Sequence, residues 1–161
     1  MDDTFLNREA GVRLARQAGA SISCAESCTG GLVAAALTDV PGASDVFVGG
    51  VVAYSNVLKT QILGVPDGLL ERFGAVSQET AAAMTDGVRR LADTTHAVSV
   101  TGIAGPGGGL PDKPVGLVWF GLAAPNGVSV STRTFMGDRA GVRARATVTA
   151  LDLLRRALAG L

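Results

Sequence analysis

The chain holds 161 residues, 14 basic against 14 acidic side chains, 47% hydrophobic residues and only 4% aromatic ones. That length suits one domain of about 100–200 residues, large enough to bury roughly 70% of its unfolded surface without disulfides or a structural metal. The balanced charge argues against nucleic acid as a partner, no apolar run reaches the roughly 20 residues of a membrane span, and the acidic start Met1-Asp2-Asp3-Thr4 lacks a leader pattern, so a cytoplasmic protein with no nucleic-acid or membrane partner is expected.

In chain order, Phe5, Leu6, Ala10, Leu14 and Ala18 recur at helical spacing behind Thr4, a candidate N-cap, and Gly19 closes this helix. Ser21 to Cys24 reads as a short strand, followed by the turn Ala25–Gly31 and an apolar helix from Leu32 to Leu37 that stops at Val40-Pro41-Gly42. Val46 to Tyr54 is a Val-rich strand whose Gly49-Gly50 pair signals a bulge or a close backbone approach. Ser55 caps a helix through Leu63, a second short helix covers Asp67 to Phe73, and Ser77 caps a longer one over Gln78 to Ala92. Ala97 to Val100 is a buried strand. The segment from Gly102 to Pro114, with five glycines and three prolines, is irregular. Strands at Val115–Ala123 and Val128–Phe135 flank Pro125-Asn126-Gly127, a hairpin signal. Gly137-Asp138 opens a final helix over Arg139–Leu158 with the stripe Val142, Ala146, Val148, Ala150, Leu153 and Leu154. Alternating helices and strands that end in a hairpin predict one domain over residues 1–161: an α/β fold, a three-layer α/β/α sandwich with a mixed sheet.

Four stretches could carry chemistry. Glu26-Ser27-Cys28-Thr29-Gly30-Gly31 joins a strand to a helix, where ligands of α/β folds bind and where free N–H groups can face an oxyanion; Ser and Thr there are equally ordinary helix caps. Tyr54-Ser55-Asn56-Val57-Leu58-Lys59 holds the only tyrosine and one of just two lysines, against twelve arginines. Lysine can be driven neutral by burial and act as a base, or sit on the surface of its helix. Thr101-Gly102-Ile103-Ala104-Gly105-Pro106-Gly107-Gly108-Gly109 follows a strand and could form a backbone nest for an anion or be a flexible loop; it matches neither a Walker A loop nor a GxGxxG fingerprint. Arg139 and Arg143 share a helix face and could meet a phosphate or simply be solvated. Cys24 and Cys28 are spaced for neither a redox pair nor zinc, and the sole histidine, His96, starts a strand with no GxSxG elbow to serve.

In order and spacing, AESCTGG (25–31), GGVVAYSNVLKTQILGV (49–65), GAVSQETAAAM (74–84), VSVTGIAGPGGG (98–109), KPVGLVWF (113–120) and GDR (137–139) resemble the CinA C-terminal domain family. That family includes amidohydrolases converting nicotinamide mononucleotide and water to nicotinic acid mononucleotide and ammonia. The resemblance implies a catalytic serine at Ser27, a lysine at Lys59 with Tyr54 nearby, an α/β/α fold, frequent homodimers, and no cofactor or metal. The expected mechanism has Ser27 attack the carboxamide while neutral Lys59 takes its proton and Tyr54 orients or relays it. N–H groups around Cys28, Thr29, Gly30 and Gly31 hold the oxyanion. The loop residues Thr101, Gly102, Ala104, Gly105, Pro106 and Gly107, together with Arg139, hold ribose and phosphate of a pyridine mononucleotide. The alternatives are a nucleotide-binding regulatory module without turnover and a partner-binding module. Whether Glu26 is catalytic or structural is open at this level.

Overall fold

The computed structural model describes residues 3–161; Met1 and Asp2, half of the acidic start, lie outside the described residues. Five strands form one sheet: β1 (Ile22–Glu26), β2 (Phe47–Val52), β3 (His96–Gly102), β4 (Leu117–Ala124) and β5 (Gly127–Thr134), in the order β2-β1-β3-β4-β5. β1 runs parallel to both β2 and β3, while β3–β4 and β4–β5 are antiparallel. The expected α/β/α sandwich with a mixed sheet is therefore the fold.

Alternation along the strands separates two cores. Ile22, Cys24, Val98, Val100, Val118 and Phe120 face one side. There they meet α1 (Asp3–Ala18), α2 (Leu32–Thr38) and α6 (Arg139–Leu158) through Val12, Ala15, Val33, Leu37, Val142, Ala146, Ala150, Leu151 and Leu154. Ala25, Ala97 and Ala123 face the other side, against Leu63, Leu70, Met84 and Val88. Those residues come from α3 (Asn56–Leu63), α4 (Asp67–Phe73) and α5 (Gln78–Ala92). The second face uses small residues because α5 lies close: a Cβ on Gly121 would stand 1.9 Å from Thr85 Oγ1.

Ser55 and Ser77 cap α3 and α5 as expected, each accepting from the N–H three residues on, and Asp138 caps α6 by accepting from Gly141 N–H. Thr4 is not the N-cap of α1, because that helix is already under way at Asp3. The β2 strand stops at Val52, short of the expected Tyr54. Beyond it, the carbonyls of Ala53 and Tyr54 turn to the Lys59 side-chain nitrogen, and a ladder cannot continue through carbonyls used that way.

Because β1 lies between β2 and β3, the chain leaves β1 in one direction for β2 and returns on its other side for β3. The carboxyl ends of β1 and β3 thus form a topological switch point, the place where open α/β sheets bind ligands. Ser27 follows β1 there, and Thr101 and Gly102 end β3.

The packing of α3 on α5 sets the position of everything α3 carries. Gly87 of α5 makes it possible, since a Cβ there would fall 1.9 Å from the Leu63 carbonyl oxygen. Replacing Gly87 with Ala is expected to cost about 1–3 kcal/mol through overpacking, read as a lower urea midpoint at unchanged slope.

Candidate active site

Two helix starts and one loop converge on the switch point. Ser27 sits in the turn from β1 to α2, its own N–H donating to Val100 O at 2.9 Å and its carbonyl accepting from Gly30 N–H at 3.0 Å. The turn is anchored from below by Glu26, which is 1% exposed. Its carboxylate accepts from the N–H groups of Gly31, Val33 and Ala34 at 2.9–3.1 Å. Three unsatisfied donors at a helix start and the positive end of its dipole are answered by one buried carboxylate. Glu26 is therefore a structural cap on α2, with no side-chain oxygen left for substrate chemistry.

Lys59 lies one turn into α3, and its side chain runs back toward the N-terminus of its helix, as long helical side chains do. Its Nζ lies 3.2 Å from Ser27 Oγ, 2.9 Å from Ala53 O and 3.4 Å from Tyr54 O. The residue is 1% exposed and has no carboxylate within salt-bridge reach among the described residues. Burial lowers its pKa from the ordinary lysine value of 10.5. Nζ donates to the two carbonyls and to the serine hydroxyl, and loss of one proton would leave a lone pair facing Ser27 Oγ.

The Tyr54 hydroxyl does not join this pair. Tyr54 is 58% exposed at the cleft mouth, and its hydroxyl accepts from Arg139 at 2.9 Å. It reaches Lys59 through its main-chain carbonyl alone. The reason is position: the residue stands just past the end of β2, where its ring has left the sheet and its backbone has not yet entered α3.

The cleft has a volume of about 300 Å³, at the lower end of the roughly 300–1,000 Å³ usual for small-molecule sites. Ser27, Cys28, Tyr54 and Lys59 line one side, and Thr101, Gly102, Ala104, Gly105 and Gly107 of the loop line another, with Arg139 at the mouth. Thr29, Gly30, Gly31 and Pro106 do not line it. Gly31 N–H is taken by Glu26 and Gly30 N–H by Ser27 O, so neither can serve an oxyanion. Among the described residues the N–H of Thr29 has no acceptor, but Thr29 is fully buried and off the cleft; the N–H of Cys28, a lining residue, meets its own thiol and is the candidate donor that remains.

Sequence reasoning missed Ala75 and Val76 as lining residues, while Asn56, Ile103 and Gly108 fall within its candidate stretches without having been singled out. Ala75 and Val76 are held there by their backbone: Thr101 Oγ1 donates to Ala75 O at 2.7 Å, and Lys113 Nζ ties the distal end of the loop to Phe73 O at 2.6 Å. Arg139 Nη1 donates to Gly105 O at 2.9 Å. The glycine-rich loop is thus fastened at both ends rather than loose. Among the described residues no acidic side chain lines the cleft, while Lys59 and Arg139 do.

The remaining candidates fall outside. Both cysteines are free and buried, and burial pushes the Cys28 thiol up to about 11, which leaves it protonated and a poor nucleophile near neutrality. His96 pairs with Ile22 at the opposite end of the sheet and bonds Thr95 Oγ1 at 2.9 Å. Among the described residues no group of three or more His, Cys, Asp or Glu is placed to hold a metal ion, and no helix is long and apolar enough to cross a membrane. A larger depression of about 450 Å³ beside the β4–β5 turn carries no titratable side chain.

Together these features define a three-layer α/β/α protein with a serine–lysine pair buried at the carboxyl ends of its parallel strands. The CinA C-terminal domain model matches residues 5–158, and the chain belongs to that family. It is 54% identical to a CinA-like protein of Mycolicibacterium vanbaalenii, over 89% of this chain and 34% of that protein. It is 51% identical to a CinA-like protein of Geotalea uraniireducens, over 92% of this chain and 35% of that one. The chain thus spans about a third of the length of these curated relatives. The crystal structure of the competence/damage inducible protein CihA from Agrobacterium tumefaciens matches with a TM-score of 0.94 at 42% identity, covering 99% of this chain and 97% of that one.

Two outcomes are expected. Glu26→Gln removes a charge from three N–H bonds and should cost about 2 kcal/mol, measured by urea unfolding. Lys59→Met removes a buried cation without a counter-charge and should raise stability by about 1 kcal/mol at pH 7. The folded pKa of Lys59 lies below the unfolded one, so between them the unfolded parent binds more protons and parent stability rises with pH. The advantage of Lys59→Met should therefore shrink as pH rises toward 10.5.

Proposed function

We propose that this protein is an amidohydrolase that deamidates nicotinamide mononucleotide, giving nicotinic acid mononucleotide and ammonia. One observation carries the reading: a buried lysine amine with no acidic partner, 3.2 Å from a serine hydroxyl that lines a cleft. Desolvation that favours the neutral amine turns lysine into a general base. Family membership and the cationic, acid-free lining support an anionic, phosphate-bearing substrate.

In this mechanism Ser27 Oγ attacks the carboxamide carbon as its proton passes to Lys59 Nζ. The oxyanion is met by the N–H of Cys28, which lines the cleft, a role worth about 3–4 kcal/mol. Lys59 then returns the proton to the departing nitrogen, which leaves as ammonia. Water, activated by the same amine, hydrolyses the acyl-serine, and the hydroxyl is restored. Ala53 O and Tyr54 O aim the lysine, and Arg139 with the glycine-rich loop holds the phosphate end. No cofactor or metal enters the scheme.

The test is ammonia release from nicotinamide mononucleotide beside free nicotinamide and the full dinucleotide. Ser27→Ala should abolish release while leaving the fold and nucleotide binding intact, and turnover near that of the parent would refute the assignment. Lys59→Ala should lose several orders of magnitude in kcat. The parent's kcat/KM should rise with pH to a plateau, with an inflection below 10.5 where Lys59 gives up its proton. Nucleotide binding with no ammonia over hours would favour a regulatory module instead.

A further inference from the structure

Lys113, the second of the chain's two lysines, stands outside the cleft, yet both the loop and the wall facing it lead back to this residue. It ends a tight turn begun at Leu110, closed by Leu110 N–H on Lys113 O at 2.7 Å and by Lys113 N–H on Leu110 O at 3.1 Å. Its Nζ donates to Phe73 O at 2.6 Å. Phe73 is the last residue of α4, so this carbonyl is one that a helix end leaves unpaired, at the negative end of the dipole. Gly74 leaves room for the ammonium group: its φ is 76°, and a Cβ there would stand 3.0 Å from Nζ. No carboxylate lies within salt-bridge reach of Lys113 among the described residues.

The tie reaches the cleft from two directions. Phe73, Gly74 and Ala75 offer three consecutive carbonyls, each held by another part of the chain. Lys113 takes the first, the hydroxyls of Ser77 and Thr80 take the second at 3.1 and 2.7 Å, and Thr101 Oγ1 takes the third at 2.7 Å. Ala75 and Val76 line the cleft from this segment. On the other side, the loop returning from Lys113 brings Val115 against the arm that lines the cleft. A Cβ on Gly105 would fall 2.5 Å from Val115 Cγ1, and one on Gly109 3.1 Å from Val115 Cγ2. The glycine arm therefore rests on a residue two positions from Lys113.

Arg139 also holds that arm, at Gly105 O, but it does so from within the cleft. A phosphate that engages the guanidinium competes with this carbonyl, whereas the Lys113 tie lies off the cleft and persists. We infer that Lys113 is a positioning residue, keeping the glycine arm and the wall of Ala75 and Val76 at the spacing that receives the phosphate of the substrate. This inference rests on the mononucleotide reading of the cleft. Without the tie the loop has to be ordered as the ligand binds, and affinity is lost to that ordering.

The test compares nicotinamide mononucleotide with nicotinamide riboside, which carries the same carboxamide and no phosphate. Lys113→Met should raise KM for the mononucleotide about 10-fold with kcat within about threefold, while kcat/KM for the riboside stays within about twofold. Lys113→Arg should bring the mononucleotide KM back to within about threefold of the parent. Lys113→Gln takes the place of the methionine variant if that protein does not fold. Hydrogen exchange without ligand is read on the same proteins. The bonded amides of Gly74, Leu110 and Gly116 should exchange about 10-fold faster in Lys113→Met. Equal losses for mononucleotide and riboside, or an unchanged KM, overturn the role of Lys113, as does unchanged exchange. A parent that releases no ammonia from either compound overturns the amidohydrolase reading instead, and the mononucleotide Kd from calorimetry then replaces KM in judging Lys113.

Discussion

Lys59 Nζ rests between one serine hydroxyl and two main-chain carbonyls, with no acid among the described residues that line the cleft. An amine placed so far from water favours its uncharged form, and the fold must hold it there against that cost. The Ser55 cap starts α3 at the right residue, Gly87 lets the end of α3 lie on α5, and Ala53 and Tyr54 leave the sheet in time to offer their carbonyls.

The same economy governs the opposite wall. Glu26 stands next to Ser27 and could be mistaken for a catalytic acid, yet its oxygens are used by three helix N–H groups and a cysteine thiol. Arg143 holds the carbonyl side of the turn from α6. The turn bearing Ser27 is therefore braced by an anion at its N–H side and a cation at its carbonyl side. Both braces are buried or half-buried, and neither is free to take part in proton transfer. A nucleophile needs such rigidity more than it needs extra ionisable neighbours.

Much of this was legible in the sequence because it is local. Ser55, Ser77 and Asp138 cap their helices through contacts three residues away, so α3, α5 and α6 could be placed from spacing alone. Ser27 and Lys59 stood out by position after a strand and by the scarcity of lysine. What escaped was non-local. Arg143 meets Cys28 across 115 residues, and no periodicity relates a helix arginine to a distant carbonyl. The hydroxyl of Tyr54 was expected at the lysine from the family resemblance, but the end of β2 separates them and sends the ring to Arg139. Ala75 and Val76 line the cleft by backbone placement alone, which composition does not reveal.

Arg139 bridges the cleft mouth, one nitrogen on the Gly105 carbonyl and another on the Tyr54 hydroxyl. A ligand that passes this gate disturbs a satisfied arginine. A neutral ring can offer no replacement for what it displaces, whereas a phosphate can take over the guanidinium with stronger, charge-assisted bonds. On the proposed amidohydrolase reading, discrimination between a base and its nucleotide would then be set at the threshold, before any carboxamide meets the serine.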